Sequence, residues 1–212
     1  VKKENHYELR WFTPEIEVDL CGHATLATSF VLYNYYGFQE NTLRFISPRS
    51  GELLVQKNDA GLFTMDFPTD DLIPVAEQPD ISKAIGKQPL ETFKGKTDYM
   101  LIYATQSDIE AIHPNFHLLN ELDCRGVIVS SKGNDVDFVS RFFAPQCGIP
   151  EDPVTGSAHT TLAPYWSKKL GKTYLSAKQL SERGGDLHCQ YNGDRVKISG
   201  NAVCYLIGEI TL

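Results

Sequence analysis

The feature that most constrains this chain is one short phrase that it contains twice. Leu20-Cys21-Gly22-His23-Ala24-Thr25-Leu26-Ala27 opens into an apolar run that stops at Gly37. Val154-Thr155-Gly156-Ser157-Ala158-His159-Thr160-Thr161 opens a second run, which stops at Gly171. Sliding the sequence along itself by 134 positions pairs Gly22 with Gly156, Ala24 with Ala158, Gly37 with Gly171 and Ser47 with Ser181. The same offset pairs Arg49 with Arg183, Gly51 with Gly185, Leu53 with Leu187, Gln56 with Gln190 and Asn58 with Asn192. These are nine identities over residues 22–58, against the roughly two that ordinary residue usage would give. Upstream, Arg10-Trp11-Phe12-Thr13-Pro14 matches Arg141-Phe142-Phe143-Ala144-Pro145 at an offset of 131. A duplication of this kind predicts two related halves, each built round one helix.

Residues 68–79 hold Pro68, Pro74 and Pro79 and read as the connection between halves. The expected division is residues 1–75 and 76–212. Alternation predicts strands over residues 7–13, 43–47, 51–57, 62–67, 99–105, 127–130, 136–144, 186–191, 195–199 and 203–209. Helices are expected over residues 24–36, 80–86, 108–112, 115–122 and 157–170. The first of these has apolar positions all round and predicts burial on most faces. The last contains Pro164, which removes a backbone donor and predicts a bend. The second half has some 60 residues between the connection and Arg141, whereas nine precede Arg10. If the halves are duplicates, a strand-helix-strand piece of the first is expected in front of Val1.

A helix start carries unpaired N–H groups and a partial positive charge. Glycine just before it lets a ligand come close to the backbone, so such an end suits a carboxylate or phosphate. Two facing helix starts predict a cleft for a small anionic substrate flanked by proton-handling groups. The candidates are Cys21 and His23 in one half and Asp152, Thr155 and Ser157 in the other, with Gly22 and Gly156 offering backbone contacts. A racemase with paired thiols needs a cysteine at each helix start. Here Cys21 faces Thr155 at the 134 offset, so a carboxyl and imidazole pair is the better reading. Each residue also has a plain role: His23 as a cap, Asp152 before Pro153 as a turn former, Ser157 as an N-cap and Cys21 as a packed apolar side chain.

Composition narrows the partners. The chain has 212 residues, a formal net charge of −7 and no basic run, which argues against nucleic acid and anionic membranes. Five cysteines at wide spacings, with no CxxC, predict free thiols in a reducing cytoplasm and no metal site. No cofactor signature is present.

Residues 10–27, Arg-Trp-Phe-Thr-Pro-x-x-Glu-Val-Asp-Leu-Cys-Gly-His-Ala-Thr-Leu-Ala, resemble the first signature of the PhzF family of phenazine-biosynthesis-like isomerases. Arg141-Phe142-Phe143-Ala144-Pro145 and then residues 151–159, Glu-Asp-Pro-Val-Thr-Gly-Ser-Ala-His, resemble its second. The resemblance implies the α+β diaminopimelate-epimerase-like fold: two pseudo-symmetric halves, each a curved, mostly antiparallel sheet wrapped round a central helix. It implies a cofactor-free isomerase, often a homodimer, moving a proton on a small carboxylic acid such as a dihydro-hydroxyanthranilate. His23 and Asp152 would be its catalytic groups, and Gly22, Thr155, Gly156 and Ser157 its substrate-binding residues. The family's principal acid/base is a glutamate in an Asn-x-Ser-Glu-Thr segment upstream of the first signature. No such segment occurs here, as Glu91-Thr92-Phe93 lies in the second half, so about 50 residues are expected ahead of Val1. Two other readings stand beside this one: a non-catalytic binding protein of the same fold, and a single-thiol epimerase using Cys21.

Overall fold

The structure is a computed structural model and describes residues 1–13, 16–59 and 61–209. The first half consists of β1 (Tyr7–Glu8), β2 (Trp11–Phe12), β3 (Glu17–Val18), α1 (Gly22–Tyr35), β4 (Thr42–Ser47), β5 (Gly51–Lys57) and β6 (Phe63–Pro68). The chain then crosses through β7 (Ile73–Pro74), α2 (Pro79–Ile85), β8 (Glu91–Lys94) and β9 (Asp98–Ile102). It continues with α3 (Gln106–Glu110), α4 (Phe116–Asn120), β10 (Gly126–Lys132), β11 (Phe138–Ala144) and β12 (Ile149–Glu151). Helix α5 (Gly156–Leu170), β13 (Tyr174–Gln179), β14 (Gly185–Tyr191) and β15 (Arg195–Gly200) complete the second half.

One continuous sheet runs in the order β1-β4-β5-β6-β15-β14-β13-β11-β10-β9-β8-β7, with β12 on β11. It is antiparallel except where β1 meets β4, β11 meets β13 and β9 meets β10. The duplication seen in the sequence reappears in the strand pairing. β1 lies parallel to β4 as β11 does to β13, with the register shifted by two residues, since Phe138 meets Ala177 and not Gln179, the counterpart of Phe45. Phe12 pairs with Glu17, and Phe143 with Glu151. The halves join where β6 lies antiparallel to β15, with Met65 opposite Ile198.

Period-two alternation sets the faces of the first-half strands. Leu43, Phe45, Val55, Phe63 and Met65 turn inward, while Arg44 and Leu54 are exposed. They share one core with Ala158, Leu162 and Trp166 of α5. In the second half the parallel pair β9 and β10 is buried on both faces, which explains its near-continuous apolar runs. Met100 and Ile128 face the shared core. Leu101, Val127 and Val129 face a second core closed by Ile81, Ile85, Ile109 and Leu119 of the short helices.

Several expectations change. The strand over residues 7–13 breaks at Leu9 and Arg10 into β1 and β2, because the two parts pair with different partners. Helix α1 starts at Gly22, and only Gly22, Thr25 and Ser29 are buried along it. Val31 and Tyr35 within it, and Tyr36 just beyond it, are exposed. The sheet of this half ends at the two-residue β1 and therefore covers less of the helix than an all-round apolar pattern predicts. Residues 203–209 alternate like a strand, yet they form no ladder, and Val203, Tyr205 and Ile207 are exposed; a strand needs a neighbour to satisfy its backbone. Conversely β13 is not among the expected strands, although Leu175, Ser176, Ala177 and Lys178 alternate in burial as a strand should. The connection at residues 68–79 contains β7, which pairs with Phe93 and Lys94 at the far edge of the sheet.

Candidate functional site

The two helix starts meet. A Cβ built on Gly22 would lie 3.3 Å from Gly156 Cα, and one on Gly156 would lie 3.4 Å from Gly22 Cα. Both glycines thus favour the close mutual approach of α1 and α5, a feature that neither copy of the phrase reveals alone. Around this contact a cleft of about 1200 Å³ opens, lined by Cys21, His23, Asp152, Thr155 and Ser157 together with the two glycines. The sequence-derived candidates therefore gather in one place.

His23 bridges the halves. Its Nδ1 lies 2.8 Å from the carbonyl oxygen of Val154, which makes Nδ1 the donor and leaves Nε2 for other chemistry. Nε2 is 3.6 Å from Cys21 Sγ. The Cys21 contact raises the imidazole pKa; burial opposes it, and the Asp152 charge and the Val154 carbonyl add to it, for a value of about 9. His23 is accordingly an imidazolium at neutral pH and can give up a proton.

Asp152 is held from several sides. It is 8% exposed, and its N–H donates to the Phe142 carbonyl at 3.0 Å. Thr155 Oγ1 donates to its carboxylate. Gln179, fully buried at the end of β13, donates from Nε2 to the Asp152 carbonyl at 2.6 Å and to Thr155 Oγ1 at 3.1 Å, and accepts from Thr155 N–H at 2.8 Å. Thr155 thus spends its hydroxyl on Asp152 and fixes the rotamer of that carboxylate. Ser157, in the first turn of α5, accepts from Arg125 Nη2 at 3.1 Å.

Pro164 shapes the opposite wall. It lacks the N–H that would bond the Thr160 carbonyl, four residues back. That carbonyl instead accepts from Asp70 N–H at 3.3 Å. The helix runs on unbroken to Leu170, and the freed acceptor ties the crossing segment to the cleft. Asp70 also receives the Lys96 N–H at 3.2 Å.

Sequence reasoning missed Arg125, Asp98, Gln179 and Asp70. Asp98 and Arg125 are 27 residues apart, and Gln179 lies 27 residues beyond Asp152. No local phrase joins them; the pairing of β9 with β10 brings Asp98 and Arg125 to the cleft, and β13 carries Gln179 beneath Asp152. Among the described residues, no three His, Cys, Asp or Glu side chains form a metal-holding group. No described helix is long and apolar enough to cross a membrane.

The geometry agrees with what comparison shows. The chain is 47% identical over 212 residues to an uncharacterized isomerase of Pseudomonas aeruginosa, covering all of this chain and 81% of that protein. It is 39% identical over 229 residues to phenazine biosynthesis-like domain-containing protein 1 of Mus musculus, covering 99% of this chain and 79% of the relative. The crystal structure of a PhzF family protein from Enterococcus faecalis superposes on it with a TM-score of 0.94 at 46% identity, over the whole chain and 81% of the other. A probable proline racemase from Agrobacterium radiobacter shares the fold alone, with a TM-score of 0.60 at 11% identity over the whole chain and 74% of the other. The family model described as phenazine biosynthesis-like protein, PhzC-PhzF, matches residues 1–208. With its duplicated helix starts joined at Gly22 and Gly156, this chain belongs to the phenazine biosynthesis-like family of epimerase-fold isomerases.

Proposed function

We propose that the protein is a cofactor-independent isomerase that moves a proton on a small carboxylic acid bound between the starts of α1 and α5. The observation that carries this reading is the convergence of His23, Asp152 and Ser157 on one cleft round the Gly22–Gly156 contact. The substrate carboxylate sits at the helix starts, where Ser157 and backbone N–H groups receive it. Asp152 takes a proton from a carbon conjugated with that carboxylate. The C–H electron pair moves into the conjugated system, and His23 returns a proton at another carbon. Asp152 and His23 are the acid/base groups that this chain supplies. The test is deuterium wash-in from D2O, followed by NMR on a panel of small unsaturated ring carboxylic acids. Exchange should fall by about 100-fold or more in Asp152→Asn, the usual weight of a positioned acid/base. Equal exchange in the variant would remove Asp152 from the mechanism.

A second reading has one observation in its favour, the 3.6 Å contact between Cys21 Sγ and His23 Nε2. In it the thiolate of Cys21 is the base and His23 its partner. Cys21→Ser assayed at pH 6, where the imidazole keeps its proton without the thiol, separates the two: loss of exchange supports the thiol, and retention supports Asp152. We further propose that the protein works in the cytoplasm as a homodimer, which light scattering on the purified protein tests for its oligomeric part.

A further inference from the structure

We propose that Arg125 is a positioning residue for the carboxylate end of the cleft: clamped by Asp98, it sets the Ser157 hydroxyl as a donor to the substrate and holds a fixed positive charge behind it. The inference deepens the function proposed above and rests on its carboxylate reading.

Strand register builds the arrangement. In the parallel pair β9–β10, Gly126 lies opposite Asp98, which sets Arg125 beside that aspartate. Arg125 N–H also donates to the Thr97 carbonyl at 2.9 Å. Arg125 Nε donates to Asp98 Oδ1 at 2.9 Å, and Nη2 donates to Oδ2, a two-pronged pair. The Asp98 side chain is only 4% exposed, so the fork stands on a rigid base. The guanidinium carbon is 5.4 Å from the centre of the Phe142 ring. That ring comes close because residue 126 is glycine; a Cβ there would lie 2.5 Å from it.

From this position Nη2 reaches Ser157 Oγ at 3.1 Å. A hydroxyl has one hydrogen and two lone pairs. Arg125 occupies a lone pair, and Ser157 Oγ has no other partner among the described residues. Its hydrogen is therefore left for a ligand in the cleft, which Asp98, Arg125, Phe142 and Ser157 all line. Removing a proton from a carbon conjugated with a carboxylate spreads additional negative charge onto the carboxylate oxygens. A fixed donor backed by a cation stabilises that charge without reorganisation. Burial works against the charge on Arg125, but the Asp98 bonds outweigh it and raise the pKa above that of free arginine.

Benzoate and its neutral isostere benzamide probe the arrangement, with binding followed by ligand-observed NMR. Wild type should bind benzoate at least about tenfold better than benzamide, the weight of one hydrogen bond to a charged group. Arg125→Gln and Ser157→Ala should each weaken benzoate by about tenfold and benzamide, whose neutral carbonyl accepts a weaker bond, by about threefold at most. The double variant should be no weaker than the weaker single, because Arg125 acts through Ser157. Arg125→Lys keeps the charge but cannot span Asp98 and Ser157 together, and should lose about threefold. If wild type does not prefer benzoate, the carboxylate reading fails together with this inference. A wild-type preference that survives unchanged in Arg125→Gln overturns this inference alone, as do additive losses in the double variant. If Arg125→Gln does not fold, Arg125→Lys decides: binding equal to wild type overturns the positioning role.

Discussion

Replacing His23 should remove a stabilisation that depends on pH. The imidazole pKa rises from an ordinary 6.5 to about 9 in the folded protein. At ~1.4 kcal/mol for each tenfold change, that rise is worth at most about 3.5 kcal/mol. The ring is partly exposed, and solvent screens its contacts, so about 1–2 kcal/mol is the expected share. The folded pKa is raised, so the stabilisation is complete below pH 6.5 and disappears as pH climbs through 9. The assay is urea unfolding of wild type and His23→Gln at unit steps from pH 6 to 10. The difference in unfolding free energy should be largest at pH 6 and shrink by about 1–2 kcal/mol by pH 10. Cys21→Ser should move the imidazole midpoint, read by NMR, back toward 6.5, because the Cys21 contact is the largest cause of the shift. A flat difference curve, or a wild-type midpoint at or below 6.5, would refute the reasoning.

His159 should behave in the opposite sense. It is fully buried, Nδ1 bonds the Thr155 carbonyl at 2.7 Å, and Nε2 has no partner. Burial lowers its pKa to about 4, so stability should be lost as pH falls from 6.5 toward 4; an acid titration in which His159→Phe falls away as steeply as wild type would contradict this. Gly22→Val should destabilise by about 1–3 kcal/mol, because the added atoms meet the Gly156 backbone, which cannot turn aside; an unchanged urea midpoint would deny the close approach. Gln179→Ala leaves the Asp152 carbonyl and the Thr155 N–H unpaired and should cost about 2–6 kcal/mol, at about 1–3 for each buried group. A loss under about half a kcal/mol would show that water replaces the amide.

The site was partly legible because the signatures are local. His23 lies two residues after Cys21, Ser157 five after Asp152, and each phrase opens a helix whose start carries its chemistry. The supporting groups were not legible for the converse reason. Asp98 and Arg125 meet only because two strands lie parallel in one register. Gln179 reaches Asp152 only because β13 lies parallel to β11, with Gln179 opposite Ser140. Thr155 was assigned to substrate from its place in the phrase, whereas its hydroxyl faces Asp152.

The sequence by itself determined the duplication, the family and the two helix starts. These rest on residue identity and short spacing, which act within one turn of backbone. Only the tertiary structure decided what the duplication is for. It showed that the two glycines are a pair because their backbones meet where a side chain on either would press on the other. It also showed that the symmetry is broken at the contact. His23 crosses to Val154, while Ser157, its counterpart, is met by Arg125. Related phrases folded into related halves but received different neighbours, because residues distant in sequence reach each helix start only through the fold.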